Sequence, residues 1–96
     1  TDFEFYLNYC LKSGEDIDIV IESSDIIIAV ECKNYSEENI RKINKKLIDK
    51  FIVNCKKLAQ DYPDKELRRL YMSKNGFTDS IEKYLKEKGI DIIPGT

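Results

Sequence analysis

An α/β domain built on a mixed sheet is the fold class this chain predicts, and three observations carry it. The run Ile26-Ile27-Ile28-Ala29-Val30 has no polar break, as expected of a central strand buried on both faces. A similar run over residues 16–22 precedes it across a short turn, so the two read as a hairpin. Beyond them, stretches of helical period alternate with two further apolar runs, the alternation that builds parallel strands with crossover helices.

The elements follow in order. In residues 2–12, Phe3, Phe5, Leu7, Tyr9 and Leu11 alternate, which reads as a strand, while Phe3, Leu7, Cys10 and Leu11 also fit a helix face. Aromatic enrichment and the Ser13-Gly14 turn favour a strand paired with residues 16–22, completing an antiparallel meander. On the second strand Asp16, Asp18 and Val20 share one face, and Ile17, Ile19 and Ile21 take the other. On the third, Ile27, Ala29, Glu31 and Lys33 share a face, and Ile28, Val30 and Cys32 oppose them, which assigns the Cys32 thiol to the core. A hairpin about Glu22–Asp25 then brings Glu31 and Lys33 alongside Asp16 and Asp18.

Residues 36–60 read as one long helix with Ser36 as N-cap and Glu37 and Glu38 in its first turn. Ile40, Ile43, Leu47, Phe51, Cys55 and Leu58 give its core face, widened by Ile48 and Ile52. Leu67–Met72 is a strand, and Ser73-Lys74-Asn75-Gly76 a turn. Thr78 caps a second helix with Ile81, Tyr84 and Leu85 inward, Gly89 ends it, and Ile90–Ile93 is a last strand stopped by Pro94-Gly95.

Composition narrows the chemistry. Ninety-six residues make one domain, and 42% hydrophobic content suffices for a small core. There is no histidine, which removes the usual base of serine and cysteine hydrolases. Three cysteines without CxxC spacing favour neither a disulfide framework nor a zinc site, and a reducing, cytoplasmic setting is expected. No run is long and apolar enough for a membrane span. The chain begins at Thr1 rather than Met, so we read it as a piece of a larger protein.

Net charge is −2, but the sign is segregated. Residues 1–32 hold eight acids and one base, residues 33–57 eight bases and three acids, and residues 58–96 seven of each. An acidic hairpin followed by a basic helix suits a metal site beside a phosphate-contacting surface, and equally a solvated helix face. Lys42, Lys45, Lys46 and Lys50 are the candidates for that contact. Carboxylates and a lysine at the end of a buried strand cost several kcal/mol unless paired or bound to metal. Hard carboxylate oxygens with few other ligands suit Mg²⁺.

Asp18 and, thirteen residues on, Glu31-Cys32-Lys33 resemble the D…(D/E)xK signature of the PD-(D/E)xK nuclease superfamily. The text EDIDIVIESSDIIIAVECKNY is similar to the way Mrr-like and related archaeal or bacterial members write this hairpin, and the order strand, turn, Gly-Phe-Thr, helix, glycine, Ile-Asp-Ile-Ile resembles their second half. The resemblance covers about residues 3–93 and implies the restriction-endonuclease-like fold, with the family's first helix missing from this chain. It implies Mg²⁺-dependent hydrolysis of DNA phosphodiesters, with Mn²⁺ as substitute. Asp18, Glu31 and the backbone carbonyl of Cys32 would hold the metal, and Lys33 would position or activate the attacking water. Asp16 is a candidate for a second metal or a bound water, beside its plainer reading as a solvated turn acid. Members often work as dimers or appended domains, so a homodimer or the rest of a larger chain is the implied protein partner. The alternative is a catalytically silent domain of the same fold that binds protein or nucleic acid.

Overall fold

A computed structural model describes residues 2–94. Its elements are β1 (Glu4–Cys10), β2 (Asp16–Glu22), β3 (Ile26–Lys33), a 3-10 helix (Glu37–Lys42), α1 (Lys45–Asp61), β4 (Glu66–Ser73), α2 (Asp79–Glu87) and β5 (Asp91–Pro94). The strands form one sheet in the order β1-β2-β3-β4-β5. β1, β2 and β3 run antiparallel as the expected meander, and β4 and β5 add in parallel. The mixed sheet with two helical crossovers is therefore as the sequence predicts. Gly95, expected to help stop the last strand, lies outside the described residues, as does Thr1.

Both helices cover one face. Val20, Ile27, Ala29 and Tyr71 from the sheet form a single core with Ile48, Phe51, Cys55 and Leu58 of α1 and Ile81 and Leu85 of α2. Side chains of this size contribute about 1.5–3 kcal/mol each on full burial. The other face carries no helix among the described residues. There Phe5 and Leu7 are 67% and 73% exposed, and Ile93 is 42% exposed. β1 is thus the strand its alternation predicts, but Phe5 and Leu7 lie on the uncovered face while Tyr6 and Tyr9 pack against the core. For the same reason β3 is central without being buried throughout: Ile27, Ala29 and Val30 are buried, and Ile26 and Ile28 only partly.

The continuous helix expected over residues 36–60 is broken. A 3-10 helix ends at Ile43, whose extended backbone turns its side chain into the core at 1% exposure. Asn44 then starts α1, its side chain accepting a hydrogen bond from the Leu47 N–H at 3.0 Å. An unbroken helix would stack Arg41 on Lys45 and Lys42 on Lys46, two like-charge pairs at i, i+4. Asn44 is a better cap than helix-interior residue, and the break relieves both pairs. Thr78 does occupy the N-cap position of α2, yet its hydroxyl meets Ser80 rather than a backbone N–H. Gly89 ends α2 with φ +71, a conformation that a Cβ would strain.

Alternation also fails within β2. Ile17 and Val20 are three residues apart yet share the helix-side core. The β1–β2 ladder skips the pair Asn8–Asp18, and Asn8 has φ +51. The β2–β3 ladder stops at Ile19–Val30. The sequence placed Ile17 opposite Val20, and the break in the pleat moves it. This irregularity falls at the first candidate site residue, where sheets often re-aim a side chain.

No helix among the described residues is long and apolar enough to cross a membrane.

Candidate functional site

The site is built where β2 and β3 part. Beyond Ile19–Val30 the strands no longer exchange backbone hydrogen bonds. Instead Asp18 takes the place of a strand neighbour: its Oδ2 accepts from the Cys32 N–H at 2.9 Å. Extended backbone points a residue's N–H and C=O to the same edge, so the Cys32 carbonyl also lies on the β2 side of β3, past the last ladder pair.

Glu31 points to the helix side, where α1 shields it. Its side chain is only 19% exposed, and it pairs with Lys33 at 3.2 Å. Its pKa is nonetheless raised above the ordinary glutamate value. Burial is the largest cause and the neighbouring Asp18 carboxylate the next, and together they outweigh the lowering by Lys33. The site thus holds more negative charge than its lysine balances. A positive charge delivered between Asp18 and Glu31 would be taken up favourably.

A cavity of about 200 Å³ opens beside this pair. Asp16, Glu31 and Lys33 line its strand side, and Leu47, Lys50, Phe51 and Asn54 of α1 form the opposite wall. Glu15 stands at its rim, held by Lys57 of α1 at 3.1 Å. Asp16 is exposed and faces the cavity, while Asp18 couples to Glu31 from the β2 side.

Among the described residues no three His, Cys, Asp or Glu side chains close on one point. The residues present fit a different arrangement: two carboxylates and a main-chain carbonyl, with water completing the shell. That is the sparse oxygen set Mg²⁺ accepts. Asp18, Glu31 and the Cys32 carbonyl are the residues that fit it, and Asp16 adds an acid at the cavity without joining the pair.

The structure disperses the four candidate nucleic-acid lysines. Lys50 enters the cavity just described. Lys45 and Lys46 line, with Arg41, a second groove of about 540 Å³ between the starts of α1 and α2. The Lys45 ammonium also sits over the Tyr84 ring at 5.2 Å. Lys42 is exposed at the end of the 3-10 helix. They form no single stripe along one helix, because the break at Ile43 and Asn44 redirects the chain between Lys42 and Lys45.

Cys32 corrects another expectation. Its thiol is exposed on the helix-free face, 4.0 Å from the Met72 sulfur, since nothing among the described residues covers that face. Tyr35, next to the motif, is packed against the core, and its carbonyl accepts from Asn75 at 2.6 Å, fixing the exit from β3.

Two residues went unread. Tyr71 pairs with Glu31 across β3–β4, is fully buried, and its hydroxyl has no hydrogen-bond partner. Burial and then Glu31 raise its pKa, so it stays a neutral phenol. Asn54 is 7% exposed among Phe51, Cys55 and Leu58. A carboxamide inside an otherwise apolar stripe was the signal that could have marked it.

No protein-family model matches this chain, and no curated protein matches it.

Proposed function

We propose that this domain is a metal-dependent nuclease of restriction-endonuclease-like fold that hydrolyses DNA phosphodiesters. One observation carries the reading. A shielded glutamate at the end of the central strand is held between a second carboxylate and a lysine, and its electrostatics favour added positive charge. The spacing Asp18…Glu31-Cys32-Lys33 supports the same reading, as does the meander followed by two crossovers.

Asp18, Glu31 and the Cys32 carbonyl would hold Mg²⁺, or Mn²⁺ in its place. When bound, the metal supplies an acidified water and offsets charge on the phosphate. Asp18 has a second task, since its bond to the Cys32 N–H keeps β3 in register where the ladder has ended. Lys33 lies 3.2 Å from Glu31, and its ammonium would be the donor to the attacking water or to a phosphate oxygen. Lys50 adds positive charge from the helix wall, on the side where an anionic substrate enters.

A second reading has one observation in its favour. The acids Asp16, Asp18 and Glu31 do not gather into a single cluster. A silent module of the same fold that binds nucleic acid or protein would tolerate that arrangement.

Cleavage decides between them. The wild-type chain should nick DNA only with Mg²⁺ or Mn²⁺, and Lys33→Ala should lower the rate by about a hundredfold or more while leaving the fold and DNA binding intact. Metal-independent cleavage, or full activity in Lys33→Ala, contradicts the nuclease reading.

A further inference from the structure

The helix wall of the cavity contains a group that the chemistry above leaves unused. Asn54 is 93% removed from solvent by its neighbours, being 7% exposed, and its side chain makes no hydrogen bond among the described residues. Its amide atoms are not among the fully buried atoms left without a partner, so they keep a path to solvent, and the cavity is where they meet it. A leucine at this position would extend the stripe of Phe51, Cys55 and Leu58 but give the cavity no donor. What Asn54 gains is position: it lines the same cavity as Glu31 and Lys33, from α1. Lys50 stands one helical turn before it, so the two project on the same side of α1.

The chemistry of the opening selects the ligand group. Lys33 and Lys50 bring positive charge and Asn54 a neutral N–H donor, beside the apolar Leu47 and Phe51 and the carboxylates of Glu15, Asp16 and Glu31, whose charge a bound metal would offset. A phosphodiester offers non-bridging oxygens that only accept, so it uses all three donors at once. A purely apolar ligand would leave them unpaired.

We propose that Asn54 is a substrate-binding residue, its carboxamide donating to a non-bridging oxygen of the phosphodiester that enters between Glu31, Lys33 and Lys50. This rests on the nuclease reading and adds to it a contact from α1, on the wall facing the strand motif. It also explains why the helix keeps a polar residue in its core stripe.

The direct test follows the Asn54 side-chain NH₂ signals of the wild-type protein by NMR, with a short DNA duplex added and Ca²⁺ in place of Mg²⁺. The expected result is a shift of the Asn54 carboxamide together with the backbone amides of Glu31, Cys32 and Lys33. Movement of those three amides with the Asn54 carboxamide unmoved overturns the inference and leaves the nuclease reading standing. No movement in either place overturns both. Asn54→Leu provides a second measurement: unchanged metal affinity, a melting temperature equal to or above wild type, and kcat/KM lower by about a hundredfold. Wild-type kcat/KM in that variant, whatever its stability, overturns the inference.

Discussion

Glu31→Gln should make the protein more stable and inactive at once. The raised pKa of Glu31 means that its surroundings, taken together, prefer the neutral form. The native state therefore binds this proton more tightly than the unfolded chain does. Between the ordinary glutamate pKa and the raised native value, stability falls as pH climbs; below the ordinary value the group's contribution is fully present. Glutamine removes the shielded charge and its repulsion with Asp18, and loses the attraction of Lys33, which is the smaller effect. Above that pH window the variant should gain about 1 kcal/mol, the usual scale for relieving a destabilised site. In a domain of this size that raises the melting temperature by roughly 4–8 °C. Metal-dependent cleavage should fall to background in the same protein. Thermal melts across acidic and neutral pH check the first half, and a lower melting temperature at neutral pH would contradict it.

Leu58→Ala is the change expected to cost most stability. Leu58 is fully buried in the last turns of α1, in the core that joins the helix to the sheet. Among the described residues the core lies on one face of the sheet, where α1 docks. Deleting a leucine side chain at such a position costs about 2–5 kcal/mol, from lost burial and from the cavity left behind. Whole domains are stable by only about 5–15 kcal/mol, so denaturant midpoints should drop by a large fraction. Cleavage at low temperature should persist, because Leu58 does not line the Glu31 cavity. A variant with wild-type stability would mean that α1 does not dock as described.

The contrast between these two residues shows what the sequence could reveal. Leu58 was legible because a core position in a helix repeats at three and four residues. The strands were legible for the same kind of reason, and so was the hairpin that brings Glu31 near Asp18. Three features escaped. Ile43 and Asn44 break the long helix, and apolar period alone runs straight across the break, since Ile43 is buried either way. Ile17 crosses to Val20's side where the pleat breaks at Asp18, opposite Asn8 of β1, a feature that depends on partner strands. Phe5 and Leu7 were assigned to a strand correctly, yet alternation says which residues share a face and nothing about whether that face is covered.

The site divides along the same line. Asp18, Glu31 and Lys33 were readable from residue type and spacing, and the structure brings Glu31 against both of the others. The helix side of the cavity was not, because which residues of α1 face Glu31 depends on where the helix starts and how it docks. Lys50 is the exposed cation expected and also lines the cavity, while Asn54 was hidden in a stripe of core residues.

Mn²⁺ titration followed by amide NMR tests the metal site most directly. Paramagnetic broadening should begin at Asp18, Glu31, Cys32 and Lys33 at low Mn²⁺, and it should be absent in Glu31→Ala. Broadening centred elsewhere, or unchanged in Glu31→Ala, would contradict the metal site and with it the nuclease reading.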